Sequence, residues 1–398
     1  MSETVPRRLN SGPLRVTLVA DEWKSSKGGL STLNRELATQ LAKHCHPDVQ
    51  VTILVPQRSE DDNKAAGEQN VNLVQATMLP GFDTIQRLCF PPDELVIDVV
   101  IGHGWKLGPP AQFIAKQRKC KWVHVVHTAS EELAMFKKSK KAISEGSKKH
   151  QTEVQLSENA DLIAAVGPKL TEAFDAYLCL PKKKVFDLTP GIIEEFSCLH
   201  HADRKSSKFR VLVFGRGDIE DFDPKGYDIA AKAVAMLNDT TYRLIFVGTP
   251  EEQENNVKEN LLKHGISGMQ LIVRGFCDSR DQLKKMFLGA DLAIMPSRTE
   301  GFGLTALEAL SAGLPILVSG NSGFAEALKE VQSGSHCIVE SEEADVWSEK
   351  IKDVRRKHRE TRLQEAQRIR QYYASKYSWE HLCKRFVRKM EKLVIQNQ

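Results

Sequence analysis

The sequence predicts an α/β protein made of two successive parallel-sheet units. Three features of the 398-residue chain support this. Short β-branched apolar runs alternate with amphipathic helical segments, the pattern of βαβ units. The alternation restarts at residue 209, after a polar stretch at 200–208. And Pro296-Ser-Arg-Thr-Glu-Gly-Phe-Gly-Leu-Thr-Ala-Leu-Glu308 reads as strand end, glycine turn and helix start, the arrangement by which such proteins present backbone N–H groups and a positive helix end to an anion.

In the first unit, residues 14–20 form a β-branched strand, followed by a polar loop at 21–27. Gly28-Gly29 then precedes a helix with apolar positions 30, 33, 37 and 41. Strand, glycine pair and helix is the form of a phosphate-facing loop. It is not the G-x-G-x-x-G dinucleotide fingerprint, and alone it reads equally as a flexible loop before a helix. Further strands are expected at 51–55, 71–76, 97–101 and 122–126. The last ends at His127-Thr128, and a helix opens over Ala129 to Glu132. A histidine at the carboxyl end of a parallel strand points to where such folds bind ligands, and His103 is a second candidate. Lys137, Lys138, Lys140, Lys141, Lys148 and Lys149 read as a solvated helix and loop, with an anionic acceptor or membrane surface as the functional alternative. Residues 162–166 and 185–188 complete the strands, with a helix after Gly167-Pro168.

In the second unit, the strand at 209–214 ends in Gly215-Arg216, and Lys225-Gly226-Tyr227-Asp228 opens a helix through residue 237. Strands are expected at 244–247 and 271–273, the latter followed by Arg274-Gly275-Phe276-Cys277. A short helix at 281–288 leads to the strand at 292–295. The helix at 304–312 is stopped by Gly313 and Pro315. A strand at 315–318, a turn at 319–323 and a helix containing Glu326 follow. Residues 342–373 read as largely helical, with a solvated basic face at Arg355, Arg356, Lys357, His358 and Arg359, and Ser378-Trp379-Glu380 starts a final helix.

Bulk properties exclude several classes. A hydrophobic content of 41% and a charged content of 27% describe an ordinary globular chain, and a net charge of +4 is too mild to imply nucleic-acid binding. The polar first ten residues lack the apolar core of a signal peptide, and no apolar run approaches the roughly 20 residues that span a bilayer. Eight cysteines without a C-x-x-C pair read as free thiols in a reducing compartment, which places the protein in the cytoplasm.

The chemistry centres on Glu300 and Glu308. Gly301 and Gly303 let a ligand approach the backbone, and residues 301–305 can offer N–H groups to phosphate. Phosphate has no need of carboxylates, whereas hydroxyl groups do, as hydrogen-bond donors to them. A ligand carrying both is a sugar nucleotide.

Glu300-Gly-Phe-Gly-Leu-Thr-Ala-Leu-Glu308 closely resembles the E-x7-E signature of retaining glycosyltransferases of the GT-B fold, especially family 4. The resemblance extends over nearly the whole chain and is most specific between Arg216 and Glu308. It implies two Rossmann-like domains facing a cleft: residues 1–190, joined by a crossing-back helix at 379–398, and residues 209–378. The linker is 191–208, with Thr189-Pro190-Gly191-Ile192-Ile193 at the crossing point. The family roles carry over residue by residue. Glu308 would bind ribose hydroxyls and Glu300 sugar hydroxyls. Gly301, Phe302, Gly303, Leu304 and Thr305 would form the donor turn. Gly28 and Gly29 would approach the diphosphate, His127 would contact the sugar, and Phe276 would lie beside the base. Arg216 and Lys225 would stabilise the departing diphosphate, which suits two fixed cations without a metal. The resemblance therefore implies no cofactor beyond the nucleoside diphosphate sugar donor. Asp221-Phe222-Asp223 is a D-x-D tripeptide, a metal signature of a different glycosyltransferase fold, and is read as a decoy. Asn34 stands where some relatives carry an acceptor-side histidine. Retaining hexosyl transfer is the leading expectation, with uridine diphosphate glucose first as donor and guanosine diphosphate mannose second. A sugar-nucleotide-binding protein without transferase activity and a nucleotide-sugar epimerase are the alternatives.

Overall fold

The apolar runs become buried parallel strands because helices cover both faces of each sheet. The structure is a computed structural model that describes residues 12–26, 28–137, 140–178, 184–201, 206–215, 217, 219–250, 252–277 and 279–395. The first sheet contains β1 (Leu14–Val19), β2 (Val49–Val55), β3 (Asn72–Gln75), β4 (Val99–His103), β5 (Lys121–Val126), β6 (Leu162–Ala165) and β7 (Phe186–Asp187). They are ordered β3-β2-β1-β4-β5-β6-β7, all parallel. The second sheet contains β8 (Phe209–Phe214), β9 (Tyr242–Thr249), β10 (Leu271–Gly275), β11 (Leu292–Met295), β12 (Ile316–Ser319) and β13 (Ile338–Val339). Its order is β10-β9-β8-β11-β12-β13, again all parallel. In each sheet the order reverses beside the first strand, between β1 and β4 and between β8 and β11. The crevice outside the strand carboxyl ends at such a reversal is where these folds bind ligands.

Two expectations change. β4 extends to His103, so that residue closes a strand and is fully buried instead of standing in a loop beyond one. The helical stretch 342–373 is two helices, Ala344–Arg356 and Arg359–Lys376. The break has a physical cause. Buried Arg362 donates to the carbonyls of Arg355 and Lys357 (3.2 and 3.0 Å), taking up acceptors that a continuous helix would use internally.

The final helix, Trp379–Ile395, returns to the first sheet. It buries Trp379, Leu382, Cys383, Phe386, Val387 and Met390 and packs on helix Gly29–Cys45 and on β5. Phe386 meets Phe186 of β7 with ring centroids 5.0 Å apart, and Trp379 Nε1 donates to the Ile192 carbonyl at 3.1 Å. Tyr373 Oη reaches the Pro190 carbonyl at 2.9 Å. The chain thus crosses between sheets at residues 188–193 and again near residue 378, and the two crossings brace one another.

Candidate active site

The strand carboxyl ends of the two sheets face each other across a cavity of about 500 Å³. The first sheet contributes Gly28, Gly29, Trp105, Lys106, His127 and Thr128 to its walls. The second contributes Lys225, Phe276, Arg280, Glu300, Gly303 and Glu308. Phe302, Leu304 and Thr305 line it as well. Residues far apart in the sequence therefore meet because both reversal points open toward one space. Arg216 lies outside the described residues.

Two backbone approaches shape the second-sheet wall. Gly226 has φ +65°, and a Cβ there would fall 2.0 Å from the Pro296 carbonyl oxygen. Only glycine lets the turn after Lys225 nest against the end of β11. Gly301 does not line the cavity. A Cβ on it would sit 2.5 Å from the His127 carbonyl oxygen, so it is where the donor turn docks on the opposite sheet. The contact is reinforced nearby. Lys169 pairs with Glu132 (2.8 Å), Thr299 Oγ1 donates to Glu132 (2.9 Å), and Lys169 also donates to the Asn321 carbonyl (3.0 Å).

Lys225 is paired with Glu300. The two residues expected on the phosphate and on the sugar are thus already in mutual contact. Arg298 grips Asp228 through a two-pronged fork (2.8 and 3.0 Å) and donates to the Asp223 carbonyl at 2.7 Å. Burial opposes the Asp228 charge, but the Arg298 fork together with Lys232 outweighs it and holds the carboxyl down at about 2. This tie fixes the start of helix Tyr227–Met236 to the loop after β11, and with it the position of Lys225.

Glu308 is buried on helix Leu304–Ser311, and Arg280 Nη1 donates to its Oε1 at 2.9 Å. Arg280 is itself held by Glu195 through Nε (2.9 Å) and lies over the Phe196 ring at 4.5 Å. Burial pushes the Glu308 carboxyl up from its ordinary value, against the pull of Arg280. Sequence reasoning missed Arg280. Its only local signal is the position after Ser279, the N-cap of helix Arg280–Gly289, and nothing in the sequence ties it to Glu308 or to the linker residues 195 and 196.

His127 lines the cavity, whereas His103 stands behind it, with Nδ1 2.8 Å from His127 Nε2. Burial pushes His127 down to about 3 and His103 well below its ordinary value, so both rings are neutral. Asn34 does not reach the cavity. Its Nδ2 donates to the Val19 carbonyl at 2.8 Å, tying helix Gly29–Cys45 to β1. Of the D-x-D pair, Asp221 lines the cavity, while Asp223 contributes its carbonyl to Arg298. In the lysine cluster, Lys149 lies over Trp105 at 4.9 Å, Lys137 pairs with Glu220 at 3.4 Å, and Lys138 lies outside the described residues.

Near the linker, burial drives the Glu36 carboxyl up to about 7 against the pull of Gln40, Arg280 and Arg35. A carboxyl raised in the folded state adds stability at low pH and loses it as pH climbs from the ordinary glutamate range through about 7. Glu36→Gln should therefore flatten the fall in Tm between pH 5 and pH 8, with the variant gaining on the parent as pH rises. Parallel Tm curves would remove Glu36 from the account.

The family model for family 4 glycosyltransferases in conflict systems matches residues 17–386. The D-inositol 3-phosphate glycosyltransferase of Corynebacterium urealyticum is 25% identical over 396 residues, covering 90% of this chain and 89% of its own length. The GDP-mannose:cellobiosyl-diphosphopolyprenol alpha-mannosyltransferase of Xanthomonas oryzae pv. oryzae is 28% identical over 182 residues, covering 44% of this chain and 45% of its own. Among solved structures, sucrose-phosphate synthase from Thermosynechococcus elongatus superposes with a TM-score of 0.74 at 17% identity, covering 96% of this chain and 100% of that one. With two parallel sheets opening on one cleft and a family match over nearly its whole length, the chain is a glycosyltransferase of the GT-B fold and belongs to glycosyltransferase family 4.

Proposed function

We propose that this glycosyltransferase moves a hexose from a nucleoside diphosphate sugar with retention of configuration and without a metal. The observation that carries the reading is the convergence of Lys225, Glu300 and Glu308 on one cavity, opposite Gly28-Gly29 and His127. Glu308 accepts ribose hydroxyls, and Phe276 lies beside the base. The Lys225–Glu300 pair opens on binding: the diphosphate takes the ammonium, and the released carboxylate accepts sugar hydroxyls. Arg216 supplies the second cation. Neutral His127 contacts the sugar from the opposite wall, and His103 holds its ring. As the glycosidic bond breaks, negative charge grows on the diphosphate, where Lys225 and the turn N–H groups of residues 302–305 stabilise it. No side chain is assigned as a covalent nucleophile.

The first-sheet mouth suits an acceptor bearing an anion. Lys24, Lys106 and Trp105 line it, with Lys106 paired to buried Asp21 at 2.6 Å until an acceptor anion takes its place, and Lys149 stands over the indole. The corynebacterial relative is named for D-inositol 3-phosphate, which bears such an anion. A cytoplasmic site of action fits the free cysteines and the lack, among the described residues, of a helix long and apolar enough to cross a membrane.

The test is a thermal-shift panel of sugar nucleotides, uridine diphosphate glucose and guanosine diphosphate mannose first, followed by transfer and donor-hydrolysis assays with the best binder. Product of retained configuration supports the reading. Tight donor binding with neither transfer nor hydrolysis across a broad acceptor panel would put a binding-only protein in its place. Conversion of the sugar nucleotide without an acceptor would make it an epimerase.

Metal independence has its own test. The motivating feature is the cation pair proposed for the diphosphate, Arg216 with Lys225, the latter lining the cavity beside the glycine turn. Turnover should survive chelator, and Asp221→Asn with Asp223→Asn should keep it within a few-fold. Loss with chelator and recovery with Mg²⁺ or Mn²⁺ would overturn the metal-free assignment.

A further inference from the structure

A second hollow, of about 290 Å³, lies at the opposite end of the second sheet. Phe209, the first residue of β8, and Asp291, just before β11, mark its floor. The same strands end at the catalytic cavity. At about 3.3 Å per residue, the length of β8 separates the two sites by roughly 17 Å.

The hollow is lined by Lys208, Arg355, Lys357, Arg359 and Arg362, with Asp291 as its acid. These cations are not a loose solvated fringe. Arg362 is only 8% exposed and lies over the Phe209 ring at 4.9 Å. Arg355 lies over the Tyr242 ring at 4.1 Å. Arg359 Nε is buried without a hydrogen-bond partner. A buried donor left unmade is destabilising, so the arrangement is one that an acceptor completes.

Acidic neighbours already balance several of these cations, but none of those pairs, among the described residues, includes Arg359. Arg356 turns to Asp353 (2.7 Å), Lys357 to Glu365 (2.6 Å) and Arg355 to Asp239 (3.4 Å), while Asp291 stands 3.9 Å from Arg362. Lys208 donates to the Thr240 carbonyl at 3.3 Å. The hollow also receives the N-terminus of the 18-residue helix Arg359–Lys376, whose N-cap residue His358 makes no side-chain cap bond. Burial pushes the Arg362 guanidinium down from its ordinary value, and Arg359 and Arg355 push the same way against Asp291. The break between the two helices creates this geometry, because it brings the end of one basic helix and the start of the next to the same place.

We infer that this hollow is a second, non-catalytic binding site for a small molecule bearing a phosphate or diphosphate group. Guanidinium groups set against aromatic rings, an uncapped helix start and an unpartnered donor all favour a compact oxyanion over an uncharged sugar. The volume suits a phosphorylated metabolite.

Calorimetric titration of the full chain with pyrophosphate tests the proposal, because the catalytic cleft also accepts a diphosphate. The parent should show two classes of site. Lys225→Ala should weaken the cleft class and keep the other. Lys208→Ala with Arg359→Ala should weaken the second class by about tenfold or more and keep the first. Arg359→Gln, a gentler change, should weaken the second class in the same direction, with an unchanged Tm in the absence of anion. A parent isotherm with one class, abolished by Lys225→Ala, would overturn the proposal. So would a double variant that binds as the parent does. A single-stranded oligonucleotide in a third arm separates the sources of phosphate: binding of the oligonucleotide at the hollow without pyrophosphate binding there would refute a small-molecule site.

Discussion

Lys225→Ala is expected to lower turnover by about 10²–10³-fold while affecting donor affinity less. Charge on the diphosphate grows as the glycosidic bond breaks, so a fixed cation binds the transition state more strongly than the ground state. The structure adds a reason for the asymmetry. Lys225 is already paired with Glu300, so donor binding exchanges one carboxylate partner for a phosphate and gains little in the ground state. In the variant, Glu300 also loses its counter-charge near the cavity floor. Initial-rate kinetics give kcat and KM separately, and donor hydrolysis serves as the assay until an acceptor is found. Equal losses in binding and turnover would demote Lys225 to a ground-state anchor.

Glu308→Ala should weaken nucleoside diphosphate affinity by about 1.5–3 kcal/mol, or 10- to 150-fold, through the loss of charge-assisted hydrogen bonds to ribose hydroxyls. Arg280 occupies Oε1 at 2.9 Å, so the expected ribose contacts centre on the other oxygen. Burial raises the carboxyl above its ordinary value. Affinity should therefore decline as pH falls toward the carboxyl's raised pKa, starting above the range of an ordinary glutamate. Calorimetry at neutral pH, repeated at lower pH, checks both statements. Unchanged affinity in the variant would sink the assignment. Arg280→Ala is the companion measurement. It leaves a buried carboxylate without its cation, and the pH at which affinity falls should move upward.

Most of the strands were legible in the sequence. The strand runs at 209–214 and 292–295 agree with β8 and β11 residue for residue, because a buried parallel strand has to be apolar along its length and the next turn ends it. Strand ends were less legible. β4 was expected to end at Ile101, yet it reaches His103, since a buried polar residue can close a strand when a second imidazole receives it. The break at residues 357 and 358 contains neither glycine nor proline and depends on Arg362 reaching back to carbonyls, a tertiary event that local propensity does not encode.

By itself the sequence determined the two parallel-sheet units, the glycine turn and the pair of glutamates. These are local properties: apolar runs of strand length, glycines where backbones must approach, and carboxylates at a set offset along a turn and helix. Only the tertiary structure decided how they meet. It brings Gly301 against the His127 carbonyl, pairs Lys225 with Glu300, and supplies Arg280 to Glu308 from a linker-bound position. It also converts what the sequence shows as a solvated basic face into a hollow of converging guanidinium groups. Each of these depends on the distance between residues remote in the chain. That distance is set by the way two sheets and a returning helix share their buried surface, and no window of sequence contains it.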